Sequence, residues 1–349
     1  MIQASVLRRP GLCALGMLVS AMLVLGAAWY QSTSAVAQPG QMTNILLLGT
    51  DGRGTITKEE KQAFRLGGIA CDCSDVMMVI SVSAHRNQVR VVSLPRDSYA
   101  TIPAHRDPET GEHRAAHGAK INAAYREGGP ALAVKTVEGM TGLKIHSHLQ
   151  VDFRQFMDSV NELGGVDICT DVPLEDRNTA LDLPPGLHHM AGGPSTQFVR
   201  SRHVDGSADF GRIQRQQRFL VAFMLQAFES GLLHNPVKLA RVAAALLGGN
   251  GDGPGMTVGT LLDLAASLRD LRLSDLEFAV VPISGDNPPI EGIGSTLKWD
   301  AQRARQTFNA LAAGQPLVTR PAAPGTQAGS TVASPQEIVP VRGDALACI

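Results

Sequence analysis

Charge is scarce in this chain, and what there is nearly cancels. Only 18% of its 349 residues are Asp, Glu, Lys or Arg, and the formal net charge is −1. Bulk attraction to nucleic acid, which rests on neutralising phosphates, therefore has no support. Neither G-x-S-x-G nor G-x-x-x-x-G-K-S/T occurs, so serine acyl transfer and P-loop nucleotide hydrolysis lack their usual signatures. Five cysteines spread over such a length exclude a small disulfide-stapled scaffold. Glycine and proline make up 16% of the residues, below the range that signals wholesale disorder. At roughly 150 residues per domain, one large domain or two modest ones are expected.

The charge is also unevenly placed. Residues 1–42 hold Arg8 and Arg9 and no other charge, and Gly11–Tyr30 runs twenty residues without any. A helix of that length spans a hydrocarbon core of roughly 30 Å. The preceding arginines and the closing Trp29-Tyr30 fit a cytoplasmic N-terminus and an outer aromatic anchor. Ala35-Val36-Ala37 offers the competing reading of a cleaved signal peptide, but a secretory apolar region is usually about 7–15 residues long. The expectation is a cytoplasmic 1–10, a signal-anchor over 11–30, a linker over 31–42, and the rest of the chain outside the cell membrane. In that oxidising space disulfides are allowed. Cys71-Asp-Cys73 is too short for a zinc half-site, and the expected bridge runs from Cys71 or Cys73 to Cys169.

One domain is expected over 43–313, followed by a disordered tail over 314–349 that is rich in Pro, Gly, Ala, Ser and Thr. The apolar run Asn44–Leu48 and the segments 76–82, 88–94, 145–151, 166–169, 198–202 and 277–282 read as strands. Helices are expected over 130–141, 153–163, 209–232, 257–269 and 301–313. Such mixing indicates an α/β fold, a mixed central sheet flanked by helices.

Asp51 and Asp75 fall at strand ends, where α/β sheets place ligands; two carboxylates there suit Mg²⁺, although each alone is an ordinary turn residue. In Phe198-Val-Arg200-Ser-Arg202 a strand would point both guanidinium groups the same way. Asp209, Arg212 and Gln216 share one helical face. Five arginines lie within 200–218, with His203, Asp205 and Asp209 among them. One reading is that Arg212, Arg215 and Arg218 simply solvate a surface helix; the other is that arginine forks match phosphate oxygens bidentately. Arg96, ending a strand, is placed to join them. Neither His113/His117 nor His146/His148 completes a metal-ligand set with acids or cysteines.

The motifs Asn44–Asp51 (NILLLGTD), Ser74–Val79 (SDVMMV), Ser93–Ser98 (SLPRDS), Lys120–Tyr125 (KINAAY) with Gly128-Gly129-Pro130, and Phe198–Phe219 occur in this order. Together they resemble the LytR-CpsA-Psr family of bacterial cell-wall proteins over about 44–230. The resemblance implies an α-β-α sandwich and a phosphotransferase that moves a glycopolymer from a polyprenyl pyrophosphate carrier to peptidoglycan. It implies Mg²⁺, or Mn²⁺, on Asp51 and Asp75. It places Arg96, Arg200, Arg202, Arg212 and Gln216 around the pyrophosphate, with Asp209 in the same cluster and Lys120, Asn122 and Tyr125 nearby. Asp75 or Asp209 would serve as general base, and Phe219, Phe223 and Met224 would wall a tunnel for the lipid tail. The segment Met190–Phe198 departs from the family pattern, with Gly193-Pro194 where a helix is usual. The alternatives are a metal-dependent pyrophosphatase on the same lipid-linked substrate and a membrane-tethered protein that binds or regulates wall polymers without catalysis.

Overall fold

The computed structural model describes residues 42–67, 71–204, 206, 208–248, 255–318 and 339–348. The membrane helix expected over 11–30 and nearly all of the 31–42 linker lie outside them. Among the described residues no helix is long and apolar enough to cross a membrane.

A six-stranded mixed sheet forms the centre. Its strands are β1 (Thr43–Thr50), β2 (Ser74–Val82), β3 (Val89–Ser93), β8 (Ser147–Val151), β13 (Leu276–Val280) and β16 (Val341–Arg342), in the order β16-β13-β3-β2-β1-β8. The pairs β1–β2, β2–β3 and β13–β16 are antiparallel, while β1–β8 and β3–β13 are parallel. The expected fold class is thus observed.

The sheet is covered on both sides because its strands alternate two apolar faces. Leu46, Leu48, Met77, Val79 and Val92 point to one side, where they meet Leu132, Ala133 and Val137 of α2 (Ala123–Thr141) and Phe308 and Leu311 of α8 (Ala301–Ala312). Met78, Val91 and Phe278 point to the other, packing on Val221, Met224 and Phe228 of α5 (Ala208–Glu229) and on Leu264 of α7 (Val258–Ser267). A further apolar cluster joins α3 (Phe153–Leu163), β9 (Val166–Thr170), α4 (Gly192–Arg200), α5 and α6 (Pro236–Leu247). Phe219 and Phe223 belong to that cluster, with Phe219 stacked near Phe156; Met224 packs toward the sheet instead.

Short elements trim the edges. A single-turn helix, α1 (Lys58–Ala63), lies in the loop after β1. Beyond β3 come β4 (Tyr99–Ile102) paired with β7 (His117–Lys120), and β5 (His105–Arg106) paired with β6 (His113–Arg114). The strands β10 (Leu174–Asp176) and β11 (Leu181–Leu183) pair with each other, β12 (Gly186–Met190) pairs with β9, and β14 (Ile283–Ile290) pairs with β15 (Gly294–Trp299).

Five expectations are corrected. Residues 198–202 are not a strand: Gly192–Arg200 is helix α4, so the i, i+2 rule for Arg200 and Arg202 does not apply. Pro194 stands in the first turn of α4, where its missing N–H removes no helical bond, so Gly193-Pro194 does not break the helix. A Cβ on Gly193 would lie 2.1 Å from the Phe64 ring, which only glycine avoids. Helix α2 begins at Ala123, seven residues before Pro130, and kinks at Gly128-Gly129. The disulfides are Cys71–Cys73 and Cys169–Cys348, not a bridge from the first pair to Cys169. Finally, the 314–349 segment is not wholly outside the fold. Leu317 is buried, Val341–Arg342 adds strand β16, and Cys348 is covalently tied to β9; residues 319–338 lie outside the described chain.

A buried ion pair fixes the register of β3 against β13. Arg90 and Glu277 face each other across these strands, with Nε 3.0 Å from Oε2. Arg90 is 1% exposed and also donates to Gln88, while Glu277 accepts from the Leu317 backbone at 2.8 Å. Removing one member of a buried pair strands the other charge. Glu277→Ala is therefore expected to lower unfolding stability by about 3–5 kcal/mol, checked by urea unfolding.

Candidate functional site

The C-terminal ends of β1, β3 and β8 and the start of β2 meet at one edge of the sheet, the usual place for ligands in α/β folds. The β1–β2 register shifts between Gly49 and Thr50, and a Cβ on Gly49 would lie 2.8 Å from that of Val76. This close approach turns Asp51 inward, where it is 3% exposed. Its Oδ2 accepts from the Cys71 N–H at 2.7 Å and its Oδ1 from the Cys73 N–H at 3.2 Å. The Cys71–Cys73 bond closes the loop that presents those two donors.

Asp75 lies one residue into β2, and its Oδ1 accepts from Arg96 at 2.5 Å. Burial would raise its carboxyl, but the charges of Arg96, Arg212 and Arg202 outweigh burial and hold it below the ordinary value. Arg96 also lies 3.7 Å from Asp97, whose other oxygen takes Lys120 at 2.9 Å. Asn122 donates its backbone N–H to the Arg96 carbonyl. Burial, followed by the charges of Asp72, Asp152 and Asp51, raises the Tyr125 phenol. The Lys120–Tyr125 motif thus joins the strand-end carboxylates in space.

Helix α5 supplies the second wall. Asp209 in its first turn accepts from Arg212 at 3.0 Å and lies 3.4 Å from Arg202. Burial lowers the Arg212 guanidinium to about 10; Asp209 and Asp75 oppose this, whereas Arg202 and Arg96 add to it. Arg212 thus senses the charges on both walls. Gln216 donates to the Val199 carbonyl at 3.2 Å and Arg215 to the Ser201 carbonyl at 2.7 Å, so both clamp α5 to the end of α4.

Arg200 and Arg202 part company. Arg200 reaches the carbonyls of Phe64 and Arg65 and stacks 5.2 Å from the Phe153 ring centroid. Arg53, which stands two residues after Asp51, lies 5.9 Å from the same centroid and 3.8 Å from Asp51. Burial, then the charge of Arg53, lowers the Arg200 guanidinium. Residue patterns alone did not single out Arg53, Asp97 or Asp176. The signal available for Arg53 was its place just beyond Asp51; for Asp176 there was none.

Asp176 is 2% exposed and anchors the Arg202 loop. Its Oδ2 accepts from the N–H groups of Arg202 at 2.7 Å and His203 at 3.1 Å, and its Oδ1 from that of Asn178 at 2.9 Å. Burial raises this carboxyl, yet the three amides prevail and lower it.

The arrangement sets arginines on two walls, countered by carboxylates that hold them in place. The LytR_cpsA_psr family model matches residues 28–313. The chain belongs to the LytR-CpsA-Psr family. It is 26% identical over 272 residues to the cell wall biosynthesis protein LcpA of Corynebacterium glutamicum, covering 72% of this chain and 51% of that one. It is 34% identical over 177 residues to the polyisoprenyl-teichoic acid–peptidoglycan teichoic acid transferase TagU of Bacillus anthracis, covering 51% and 50%. The chain thus spans about half the length of each of these relatives. Among solved structures, Bacillus subtilis TagV superposes with a TM-score of 0.58 at 22% identity, covering 80% of this chain and 100% of that one. The LytR-Csp2A-Psr enzyme of Actinomyces oris superposes at 0.56 and 20% identity, covering 77% and 89%. These two likenesses show the fold.

The Asp176 anchor has a pH signature. A carboxyl lowered in the folded state adds stability above its unfolded pKa, about 3.9, and loses it as pH falls through the folded value. The difference in melting temperature between wild type and Asp176→Asn is expected to be constant above about pH 5 and to shrink below about pH 4, read by thermal melts across that range.

Proposed function

We propose that this protein transfers a glycopolymer from a polyprenyl pyrophosphate carrier to peptidoglycan, forming a phosphodiester and releasing polyprenyl phosphate. The observation that carries this reading is the pairing of Arg96–Asp75 on one wall with Arg202–Asp209–Arg212 on the other. With Arg53 and Arg200 beside them, guanidinium groups outnumber the carboxylates Asp51, Asp75 and Asp209. The surplus suits the charge of a pyrophosphate. The name of the TagU relative, a polyisoprenyl-linked polymer transferase, supports the same class of reaction.

In the reaction, an acceptor hydroxyl on peptidoglycan attacks the phosphorus next to the glycan. A P–O bond forms to the acceptor, and the bond to the bridging oxygen breaks. Polyprenyl phosphate leaves with the electron pair, and the hydroxyl proton passes to Asp75 or Asp209. Arg96, Arg202 and Arg212 neutralise charge on the transferred phosphoryl group and on the leaving phosphate. Arg200, Gln216, Lys120, Asn122 and Tyr125 shape the surrounding pocket.

Asp51 and Asp75 offer hard oxygen donors, and Mg²⁺ takes few protein carboxylates because it keeps waters and substrate phosphates. No set of three or more metal-ligating side chains is preformed among the described residues. A bound Mg²⁺ would supply further neutralisation of phosphate charge. The two disulfides fit an exported domain in an oxidising space, held at the cell membrane by the apolar segment 11–30 on its wall-facing side.

The test is an incubation of the full-length protein with polyprenyl pyrophosphoryl glycan and peptidoglycan oligomers in Mg²⁺. Joined product and polyprenyl phosphate are expected, lost with chelator and reduced roughly 100-fold or more in Arg202→Ala. Free glycan phosphate without joined product would establish the pyrophosphatase reading. Substrate binding without turnover in wild type would establish a non-catalytic polymer-binding role.

A further inference from the structure

Cys71 and Cys73 are bonded to each other across a single intervening residue. The small ring they close stands directly against Asp51, and three hydrogen bonds join the two. The Cys71 N–H donates to Asp51 Oδ2 at 2.7 Å, the Cys73 N–H to Oδ1 at 3.2 Å, and the Asp51 N–H to the Cys73 carbonyl at 3.4 Å. Asp51 is 3% exposed, so water does not readily replace amides that turn away from it.

Asp72, between the two cysteines, explains how both amides reach one carboxylate. Its φ of +50° lies in the left-handed region, which a residue with a Cβ leaves unless its surroundings hold it there. A left-handed residue turns the amides beside it toward one point, the arrangement by which backbone nests hold anions. With the cysteines bonded across it, Asp72 cannot unwind. Once the bond opens, Asp72 is free to return to the extended or right-handed region, and the amides on either side of it diverge. Burial, then the charge of Asp72, raises the Tyr125 phenol, so the same ring also sets the charge felt at the Lys120–Tyr125 motif.

The bond is open to chemistry from one side. Cys71 is exposed and Cys73 is buried, whereas Cys169 and Cys348 are both half-buried. Thiol–disulfide exchange depends on access to a sulfur, and Cys71 gives that access.

We propose that the Cys71–Cys73 bond is a redox switch on Asp51: closed, it holds the carboxylate in place for the reaction, and open, it releases it. The effect on turnover rests on the transferase reading; the coupling of the bond to Asp51 does not. A dithiol opens the switch by exchange. One of its thiolates attacks the Cys71 sulfur, Cys73 leaves with the electron pair and takes up a proton, and the second thiolate displaces Cys71, which is protonated in turn. Two electrons and two protons have then passed to the protein, and the dithiol has become a disulfide. Exchange with a disulfide donor runs the same steps backwards, so a chain that leaves the cell with its thiols reduced gains its positioned Asp51 only in an oxidising space.

The test equilibrates full-length protein in detergent across a series of dithiol-to-disulfide ratios and traps free thiols by alkylation, with peptide mapping to assign them. Amide hydrogen exchange and glycopolymer transfer are followed on the same samples. Opening of Cys71–Cys73 is expected to speed exchange at the Cys71 and Cys73 amides and to lower transfer roughly 10-fold or more, the cost of losing partners behind a functional carboxylate. Both changes should follow one two-electron curve and reverse on reoxidation. Cys71→Ser/Cys73→Ser should show the low activity at every ratio. Cys169→Ser/Cys348→Ser, in which only the first bond can open, should follow the wild-type curve. Slow exchange at the two amides after both thiols are alkylated, or wild-type turnover in Cys71→Ser/Cys73→Ser, overturns the proposal. If the oxidised wild type transfers nothing, the transferase reading fails, and the amide exchange alone decides whether the bond controls Asp51.

Discussion

Positive charge gathered in a partly buried space is the constraint on which the rest of this structure depends. Coulomb interactions strengthen as water is excluded, so guanidinium groups brought together at a sheet edge repel unless carboxylates stand among them. Asp209 sits between Arg202 and Arg212, Asp75 holds Arg96, and Asp97 is shared by Arg96 and Lys120. Each carboxylate is itself fixed by chain geometry: the start of β2, the turn after β3, the first turn of α5.

The scaffold meets that demand by placing the ends of its elements rather than their middles at the pocket. Residues at strand ends and in loops are positioned by the sheet without being consumed by its ladder. Asp51 and Asp176 show how far this goes, since each carboxylate is satisfied mainly by backbone amides of a loop. Those loops are therefore held by the site as much as they hold it. Arg200 and Arg53, stacked at the Phe153 ring, extend the cationic wall beyond the central cluster.

Much of the fold was legible in the residues because local signals agreed with burial. Helix α3 occupies 153–163 as expected, opened by a capping box of Asp152 and Gln155 and stopped at Gly164 with φ +104°. Strands β1, β2 and β3 announced themselves by apolar runs that the two-sided sheet requires. Helix α4 did not, because Gly192-Gly193-Pro194 carries breaker residues where a first helical turn tolerates them. The pocket was legible through ordered motifs, whereas Arg53 was hidden as a lone arginine in a loop. The end of the chain misled because composition averages over residues, while one cysteine and two paired residues suffice to tie a segment down.

The Cys169–Cys348 bond spans a sequence separation of 179, and its position makes the second half of the protein a closed ring. A single cut in the backbone anywhere between those cysteines yields two chains that remain one molecule until the bond is reduced. A cut between α8 and β16 would therefore leave strand β16 joined covalently to the body of the domain.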